Sequence, residues 1–338
     1  MQKRILSLPA VATFTMSILM VSGCQPYFDE ILGEINKEVK DLPKEVVINE
    51  PALFPEGIEY DASGQRFLVS SQTRGTIGAV DDQGNYEPFV KDDDFVATVG
   101  IDVDEAQQRL LVCVSDPNTA SVAALGSYDL RSGERQFFAN LLEGIEGDAP
   151  HFANDVATDA QGNAYVTDSF SPIIYKVDPE GHASVFLQHE TFQAAPGAFG
   201  LNGIVYHPHG YLIVAFSETA TLYKVPLDNP ESFSPIATEA GVVTSPDGLY
   251  LSNPKTLVVV NNDGGGANGQ VISLNSTDRW ESAELAGSFS TGPVFPTTVA
   301  QRQKNFYVIY AHLDELTGGD LSRDEFKIVR ADFEEERD

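Results

Sequence analysis

One pattern recurs six times along this chain, at intervals of 43 to 55 residues, and each recurrence opens a set of short apolar runs. Four of the recurrences place an acidic or amide residue two positions before a branched apolar residue. These four residues are Glu56, Asn154, Asn202 and Asp247. Val99 and Thr297 hold the same position in the other two. A period of roughly 40–50 residues made of short strands is typical of a β-propeller, in which each repeat is one blade.

The repeats predict an all-β protein, a six-bladed β-propeller over residues 45–333. Each repeat contains up to four short apolar runs separated by turn residues, but the last ends near Phe333 with only three. We expect Glu45–Ile48 to supply the missing strand by pairing with Phe326–Val329, because such closure removes an exposed sheet edge. A β-sandwich or an unclosed β-array is the alternative, although neither predicts a fixed phase over the whole chain.

The N-terminus has the features of a targeting signal. Lys3 and Arg4 precede an apolar stretch from Ile5 to Val21, and Val21-Ser22-Gly23-Cys24 ends it with small residues. This tetrapeptide is similar to a bacterial lipobox, in which the peptidase cuts before the cysteine and the thiol is acylated. The alternative is an ordinary secretory signal in which Cys24 is incidental.

The sequence therefore predicts four parts. They are a lipoprotein signal peptide (1–23), a tether that begins at the lipidated Cys24 (24–44), the propeller (45–333) and an acidic tail (334–338). The expected location is the bacterial cell envelope, where the lipid anchor would hold the protein on the periplasmic or the outer surface.

The charge balance limits the possible partners. The chain has 50 acidic and 21 basic residues, for a formal net charge of −29. Such a surface repels nucleic acid and anionic lipid headgroups. We therefore expect no nucleic-acid partner, and contact with a membrane only through the lipid anchor.

The four polar residues at the recurring position have side chains that suit a hard cation. In a propeller they come from four blades and converge on one axis, where they offer two carboxylates and two amide carbonyls. Ca²⁺ takes about 6–8 oxygen ligands, so four protein ligands leave room for water and a substrate oxygen. Zn²⁺ is disfavoured because no His or Cys occupies the recurring position. The alternative is that these residues only form turns before the strands.

Residues 51–333 resemble the gluconolactonase/regucalcin superfamily of six-bladed propellers, which also contains diisopropyl fluorophosphatase and the paraoxonases. The motifs that carry the resemblance are Pro55-Glu56-Gly57, Phe152-Ala153-Asn154-Asp155, Leu201-Asn202-Gly203 and Ser245-Pro246-Asp247-Gly248. The resemblance implies that Glu56, Asn154, Asn202 and Asp247 surround one divalent ion, usually Ca²⁺, with other divalent cations possible. It also implies that Asp247 is the catalytic base or nucleophile and that Asn154 lies between metal and substrate.

Two positions depart from the family pattern. Sugar-lactone members carry an arginine where this chain has Phe152, which implies a less polar substrate or the absence of that reaction. The neighbouring His151 is a further candidate for substrate contact. Paraoxonase-like members have an acid where this chain has Gly57, so we expect no second calcium of their kind.

The resulting function hypothesis is a Ca²⁺-dependent hydrolase of a small-molecule lactone or related ester. In this hypothesis the metal polarises the carbonyl and Asp247 acts as base or nucleophile at the tunnel mouth. The alternative is a non-catalytic cell-envelope propeller that binds a ligand or protein partner through the same opening.

Overall fold

The structure, a computed structural model, describes residues 42–335. Within this range the chain forms six separate antiparallel sheets, arranged as the blades of a propeller. Tight polar turns join the strands of a blade. In the turn at 159–163, for example, the Asp159 carboxylate accepts the backbone N–H groups of Gln161 and Asn163. The predicted all-β, six-bladed propeller is confirmed.

Each of the first three blades is built from four strands that are consecutive in the chain. The first blade contains β2 (Ile58–Asp61), β3 (Arg66–Val69), β4 (Thr76–Val80) and β5 (Tyr86–Lys91). The second contains β6 (Ala97–Asp104), β7 (Arg109–Ser115), β8 (Ala123–Asp129) and β9 (Arg135–Asn140). The third contains β10 (Ala153–Thr158), β11 (Ala164–Asp168), β12 (Ile173–Val177) and β13 (Ala183–Gln188).

The fifth and sixth blades also take strands from the ends of the chain, whereas the fourth does not. The fourth contains β14 (Leu201–His207), β15 (Tyr211–Phe216), β16 (Thr221–Pro226) and β17 (Ser234–Pro235). The fifth contains β18 (Pro246–Asn253), β19 (Thr256–Asn261), β20 (Gln270–Asn275), β21 (Glu284–Ser290) and β25 (Glu334–Glu335). The sixth contains β22 (Pro296–Arg302), β23 (Asn305–Tyr310), β24 (Glu325–Ala331) and β1 (Glu45–Asn49).

Helices are short and few in the described range. One α-helix, α1 (Leu313–Thr317), follows β23, and three 3₁₀ turns occupy Glu190–Phe192, Pro230–Ser232 and Asp263–Gly265. None of the helices in residues 42–335 has the length and apolar content that crossing a bilayer requires. The predicted signal peptide (1–23), the predicted lipidation site Cys24 and the predicted tether up to residue 41 lie outside the described residues.

The sixth blade is closed by the N-terminal strand, as predicted. β1 pairs antiparallel with β24, with Glu45 opposite Val329 and Ile48 opposite Phe326. Val46 and Ile48 are buried while Glu45 is exposed, because side chains alternate between the two faces of a strand. Closure therefore gives the last blade its fourth strand and buries two apolar side chains of β1.

The C-terminal end extends the fifth blade. Glu334 and Glu335, placed by the sequence in the acidic tail, form β25 and pair with Ser288 and Gly287 of β21. A Cβ at Gly287 would lie 3.1 Å from the carbonyl oxygen of Glu334, so glycine at this position relieves a tight contact between the paired strands. The outer edge of β21 is thus partly covered by main-chain hydrogen bonds.

The hydrophobic core is divided among the interfaces between successive blades. Six clusters of buried apolar side chains each combine residues of two neighbouring blades. The cluster between the sixth and first blades, for example, joins Ile309, Phe326 and Ile328 to Phe54 and Phe67. Burial of apolar surface at these interfaces holds the ring together and fixes the positions of the innermost strands.

Candidate metal centre

Five of the six innermost strands carry a β-bulge at the recurring position. In β10, for example, the register shifts by one residue between Ala153 and Val156, so Asn154 lies in the bulge. The same shift encloses the recurring residue of β6, β14, β18 and β22. A bulge bends the strand and changes the direction of a side chain.

All six recurring residues line one cavity of about 300 Å³, which we call the oxygen cavity. Its lining includes Glu56, Val99, Asn154, Asn202, Asp247 and Thr297. The four polar members are each about 95% buried. The convergence of these residues, which the repeat predicted, is therefore present in the structure.

Glycines beside the recurring position let the innermost strands approach each other closely. A Cβ on Gly57 would lie 2.6 Å from the carbonyl oxygen of Val99 in the next blade. A Cβ on Gly203 would lie 2.2 Å from the carbonyl oxygen of Asp247, and a Cβ on Gly248 would lie 2.7 Å from that of Thr297. These glycines are therefore required by the spacing between blades, and the turn interpretation does not account for them.

Two serines fix the orientation of the two amides. The hydroxyl of Ser169 donates to the carbonyl of Leu201 at 2.6 Å, so it can only accept from the Nδ2 group of Asn154, at 2.9 Å. Ser217 donates in the same way to Pro246 and accepts from Asn202, at 3.2 Å. Because each amide nitrogen donates to a serine hydroxyl, the carbonyl oxygen of each amide points away from that serine.

Three oxygens of the cavity have no hydrogen-bond partner. They are Oε2 of Glu56, Oδ1 of Asn154 and Oδ1 of Asn202. Leaving a buried acceptor unsatisfied costs about 1–3 kcal/mol for each group. Such groups are rare in folded proteins, and several in one cavity indicate that something absent from the protein chain satisfies them.

The electrostatics of the cavity also favour a cation. Burial raises the pKa of Glu56 well above its usual value, and the negative charges of Asp247 and Asp155 raise it further. Burial raises the pKa of Asp247 to about 7, opposed by hydrogen bonds from Asn262 and Asn202. A positive ion would relieve both effects by compensating the two carboxylates.

The residues present fit a calcium ion. Two carboxylates and two amide carbonyls form an all-oxygen donor set, which hard cations prefer. Within residues 42–335, no three His, Cys, Asp or Glu side chains form a group that could hold a metal by themselves. At the recurring position the oxygen cavity has two such side chains, Glu56 and Asp247, and the amides of Asn154 and Asn202 would complete the ligand set.

The wall of the oxygen cavity beside this cluster is apolar. Phe152, Phe199, Phe295 and Leu313 all line it. Phe199 is 45% exposed, so this side reaches the surface. Phe152 thus lies where the sequence placed a substrate-contacting residue, and it offers an aromatic face and no hydrogen-bonding side chain.

His151 occupies a different place from its neighbours. Its ring is 96% buried and bonds through Nδ1 to Asp168 at 2.7 Å, and the hydroxyl of Tyr175 bonds to the same carboxylate. The other oxygen of Asp168 accepts the backbone N–H groups of Phe152 and Phe170. His151 is not among the residues that line the oxygen cavity. The direct substrate contact considered for His151 in the sequence is therefore not supported by its position.

A second acidic cavity lies further along the same innermost strands. It measures about 200 Å³, and Glu59, Asp102 and Asp155 line it. We call it the far cavity. Burial is the main cause of a raised pKa at each of the three, to about 6 for Asp102 and about 7 for Asp155.

The serines that orient the two amides were not identified from the sequence as part of the candidate site. Ser70, Ser115, Ser169 and Ser217 recur at the end of the second strand of four blades, and Asn262 holds this position in the fifth. Asn262 donates to the carboxylate of Asp247 at 2.7 Å. Aligning the second strand of each repeat with those of the other repeats would have revealed this recurring polar position.

Comparison with known proteins supports the fold. Neither a protein-family profile nor a curated protein matches the chain. Among solved structures, the Malassezia sympodialis allergen Mala s 1 is 20% identical over 86% of this chain and 96% of its own, with a TM-score of 0.70.

Two further similar structures belong to the group that the sequence suggested. Regucalcin from Agrobacterium tumefaciens, described as a calcium-binding protein, is 14% identical, covers 87% of this chain and 96% of its own, and has a TM-score of 0.58. A protein assigned as a gluconolactonase is 13% identical. The match covers 87% of this chain and 94% of that protein, with a TM-score of 0.57. At these identities the similarity shows the propeller fold.

Proposed function

We propose that this propeller is a Ca²⁺-dependent hydrolase of a lactone or a related ester. The observation that carries the proposal is the set of three buried oxygens without a partner, grouped with the Asp247 carboxylate in an open cavity. The similarity to regucalcin and to a gluconolactonase is consistent with it. Glu56, Asn154, Asn202 and Asp247 would hold the ion through side-chain oxygens. When bound, Ca²⁺ would supply a Lewis acid towards a carbonyl oxygen.

Asp247 is the residue that we assign to proton transfer or nucleophilic attack. Asn262 holds its carboxylate by donating to Oδ2. As a base, Asp247 accepts a proton from water while the water oxygen bonds to the carbonyl carbon. The carbon–oxygen bond of the lactone or ester then breaks, and the leaving alkoxide takes up the proton.

The nucleophilic route uses the same carboxylate. An oxygen of Asp247 bonds to the carbonyl carbon while the carbon–oxygen bond of the lactone or ester breaks. Water then hydrolyses the resulting anhydride, which releases the acid and regenerates the Asp247 carboxylate, and the alkoxide takes up a proton from this water. Both routes benefit from the buried Phe152 in the cavity wall, because charged groups interact more strongly where water is excluded.

The experiment that tests the function is a panel of aliphatic lactones and aryl esters, assayed with Ca²⁺ and with a chelator. We expect hydrolysis with Ca²⁺, its loss with the chelator and its return when Ca²⁺ is added in excess. Hydrolysis that persists in the chelator would exclude the metal-dependent mechanism. Tight Ca²⁺ binding without hydrolysis of any substrate would favour the non-catalytic binding propeller.

We also propose that Cys24 carries a lipid that anchors the protein to the cell envelope, on the basis of Val21-Ser22-Gly23-Cys24. Cys24→Ser should block processing or leave unlipidated protein in the soluble fraction. Mass spectrometry of the wild-type N-terminus should find acyl groups on Cys24. Identical partitioning of the two proteins, with no acyl group on Cys24, would exclude the anchor.

A further inference from the structure

A second surface cavity lies beside the oxygen cavity and differs from it in chemistry. It measures about 390 Å³ and is lined by residues 193–198 of the β13–β14 connection together with Ala120, Ala149, Pro150, Phe170 and Ser171. None of its lining side chains carries a charge. In a chain with 50 acidic residues, an uncharged concave surface of this size is a distinct feature. We call it the apolar cavity.

The two cavities share a boundary made of small and aromatic residues. Ala198 lines both cavities. Phe152 and Phe199 line the oxygen cavity, while Phe170 lines the apolar cavity. The centroids of these three rings lie 5.2–5.6 Å apart, so they form one aromatic cluster between the two spaces.

Hydrogen bonds hold this boundary in place. Asp168 accepts the backbone N–H groups of Phe152, Phe170 and Ser171, which holds the backbone of two of the three aromatic residues and of a lining residue of the apolar cavity. On the other side, the backbone N–H of Ala195 donates to Glu218, which lines the oxygen cavity. The apolar cavity is therefore tied to the oxygen cavity from both sides.

We infer that the substrate is a lactone or ester with an apolar acyl or aryl substituent that lies in the apolar cavity while its carbonyl lies in the oxygen cavity. This inference rests on the proposed function and specifies its substrate class. The substituent would cross Ala198 and the aromatic cluster. Each methylene group that is buried contributes about a three- to fourfold gain in affinity.

The test is a homologous series of unbranched esters or lactones, from two to ten carbons in the chain, assayed with the full protein and Ca²⁺. We expect kcat/KM to rise about threefold per added methylene and then level off when the apolar cavity is full. Ala195→Trp, which fills the cavity from an exposed position, should reduce this slope. A flat series in the wild type, or an unchanged slope in Ala195→Trp, would overturn the inference.

A matched control uses an alanine that is exposed but lines none of the three cavities. Ala160 lies in the turn between β10 and β11, so Ala160→Trp should keep the wild-type slope. A loss of slope in both variants would show that the added tryptophan acts nonspecifically, and it would overturn the assignment to this cavity.

Binding of N-phenyl-1-naphthylamine, a neutral apolar probe, separates this inference from the proposed function. We expect its fluorescence to increase with the wild type and with Ala160→Trp, and to increase much less with Ala195→Trp. If these fluorescence changes are seen but no ester is hydrolysed, the proposed enzymatic function is rejected, while the apolar cavity remains supported as a ligand site. Hydrolysis with no chain-length dependence would retain the enzyme and reject the apolar subsite.

Discussion

The innermost strands carry carboxylates in two cavities, the oxygen cavity and the far cavity, and the two sets differ in the hydrogen-bond donors that they receive from the protein. In the far cavity, Asp155 accepts the backbone N–H groups of Val156 and Ile204, and Asp102 accepts the hydroxyl of Thr158. In the oxygen cavity, Glu56 and the two amides each keep an oxygen without any donor.

The pKa shifts alone do not separate the two cavities. Burial raises the pKa of Asp247 in the oxygen cavity and of Asp155 in the far cavity to about 7. What separates them is whether the protein itself satisfies the oxygens. Carboxylates that have donors from their own chain need no ion, whereas buried oxygens without donors indicate a ligand site.

The largest expected effect tests the role of Asp247. Asp247→Asn keeps an oxygen that can coordinate a cation but removes the base or nucleophile, so kcat should fall about 10²–10⁴-fold on the best substrate. Steady-state kinetics with saturating Ca²⁺ measure this. The matched control is Asp102→Asn in the far cavity, which should keep kcat within about twofold. Wild-type turnover by Asp247→Asn would exclude Asp247 as the catalytic group.

A smaller effect tests the serines that orient the amides. Ser169→Ala frees the Asn154 amide to rotate and should weaken Ca²⁺ binding about tenfold, as loss of a group that orients a metal ligand commonly does. Ser115→Ala is the matched control, because Ser115 makes the same bond to the next blade, to Ala153, without touching an amide. Calorimetric titration should find Ser115→Ala within about twofold of wild type. Equal loss in both variants would assign the effect to blade packing.

The smallest effect tests the far cavity through pH. Because the folded-state pKa of Asp102 is raised to about 6, the folded chain binds more protons than the unfolded chain between about pH 4 and pH 6. The free energy of unfolding therefore falls as pH rises through this range. Asp102→Asn removes this loss, and should be about 1 kcal/mol more stable than wild type at pH 8, since the carboxylate is partly exposed.

Denaturant unfolding at pH 4 and pH 8, in chelator so that no cation contributes, measures this difference. The advantage of Asp102→Asn should disappear at pH 4, where Asp102 is largely protonated in the folded chain. A constant difference at both pH values would show that the Asp102 charge is not the cause.

The blades and their closure could be predicted from the sequence, because the same pattern of strands and turns recurs in each repeat and assigns a strand position to every segment. The sixth repeat has only three strands of its own, so β1 was expected to pair with β24. The alternation of buried and exposed side chains along β1 is consistent with the observed register, in which Glu45 lies opposite Val329. The convergence of Glu56, Asn154, Asn202 and Asp247 on one cavity follows from the same phase. The pairing of Glu334 and Glu335 with β21 could not be predicted, because it uses main-chain groups, which leave no pattern in the side chains.

Other features of the site depend on contacts that the sequence does not display. His151 lies three residues from Asn154, yet successive side chains of an extended chain point to opposite faces, and only Phe152 and Asn154 line the cavity. Ser169 and Ser217 orient amides that stand fifteen residues earlier on the neighbouring strand. Phe199 lies in the connection between β13 and β14, outside the repeated strands, so the repeat pattern does not predict its position in the site.

The most direct test of the central claim is calorimetric Ca²⁺ titration of Glu56→Gln beside Glu59→Gln. Each variant removes one carboxylate from a cavity on the innermost strands, but only Glu56 has a buried oxygen without a donor, whereas Glu59 is partly exposed. We expect wild type and Glu59→Gln to bind one Ca²⁺ with affinities within about threefold, and Glu56→Gln to bind at least about tenfold more weakly. Equal weakening in both variants, or no binding by wild type at millimolar Ca²⁺, would contradict a metal centre in the oxygen cavity.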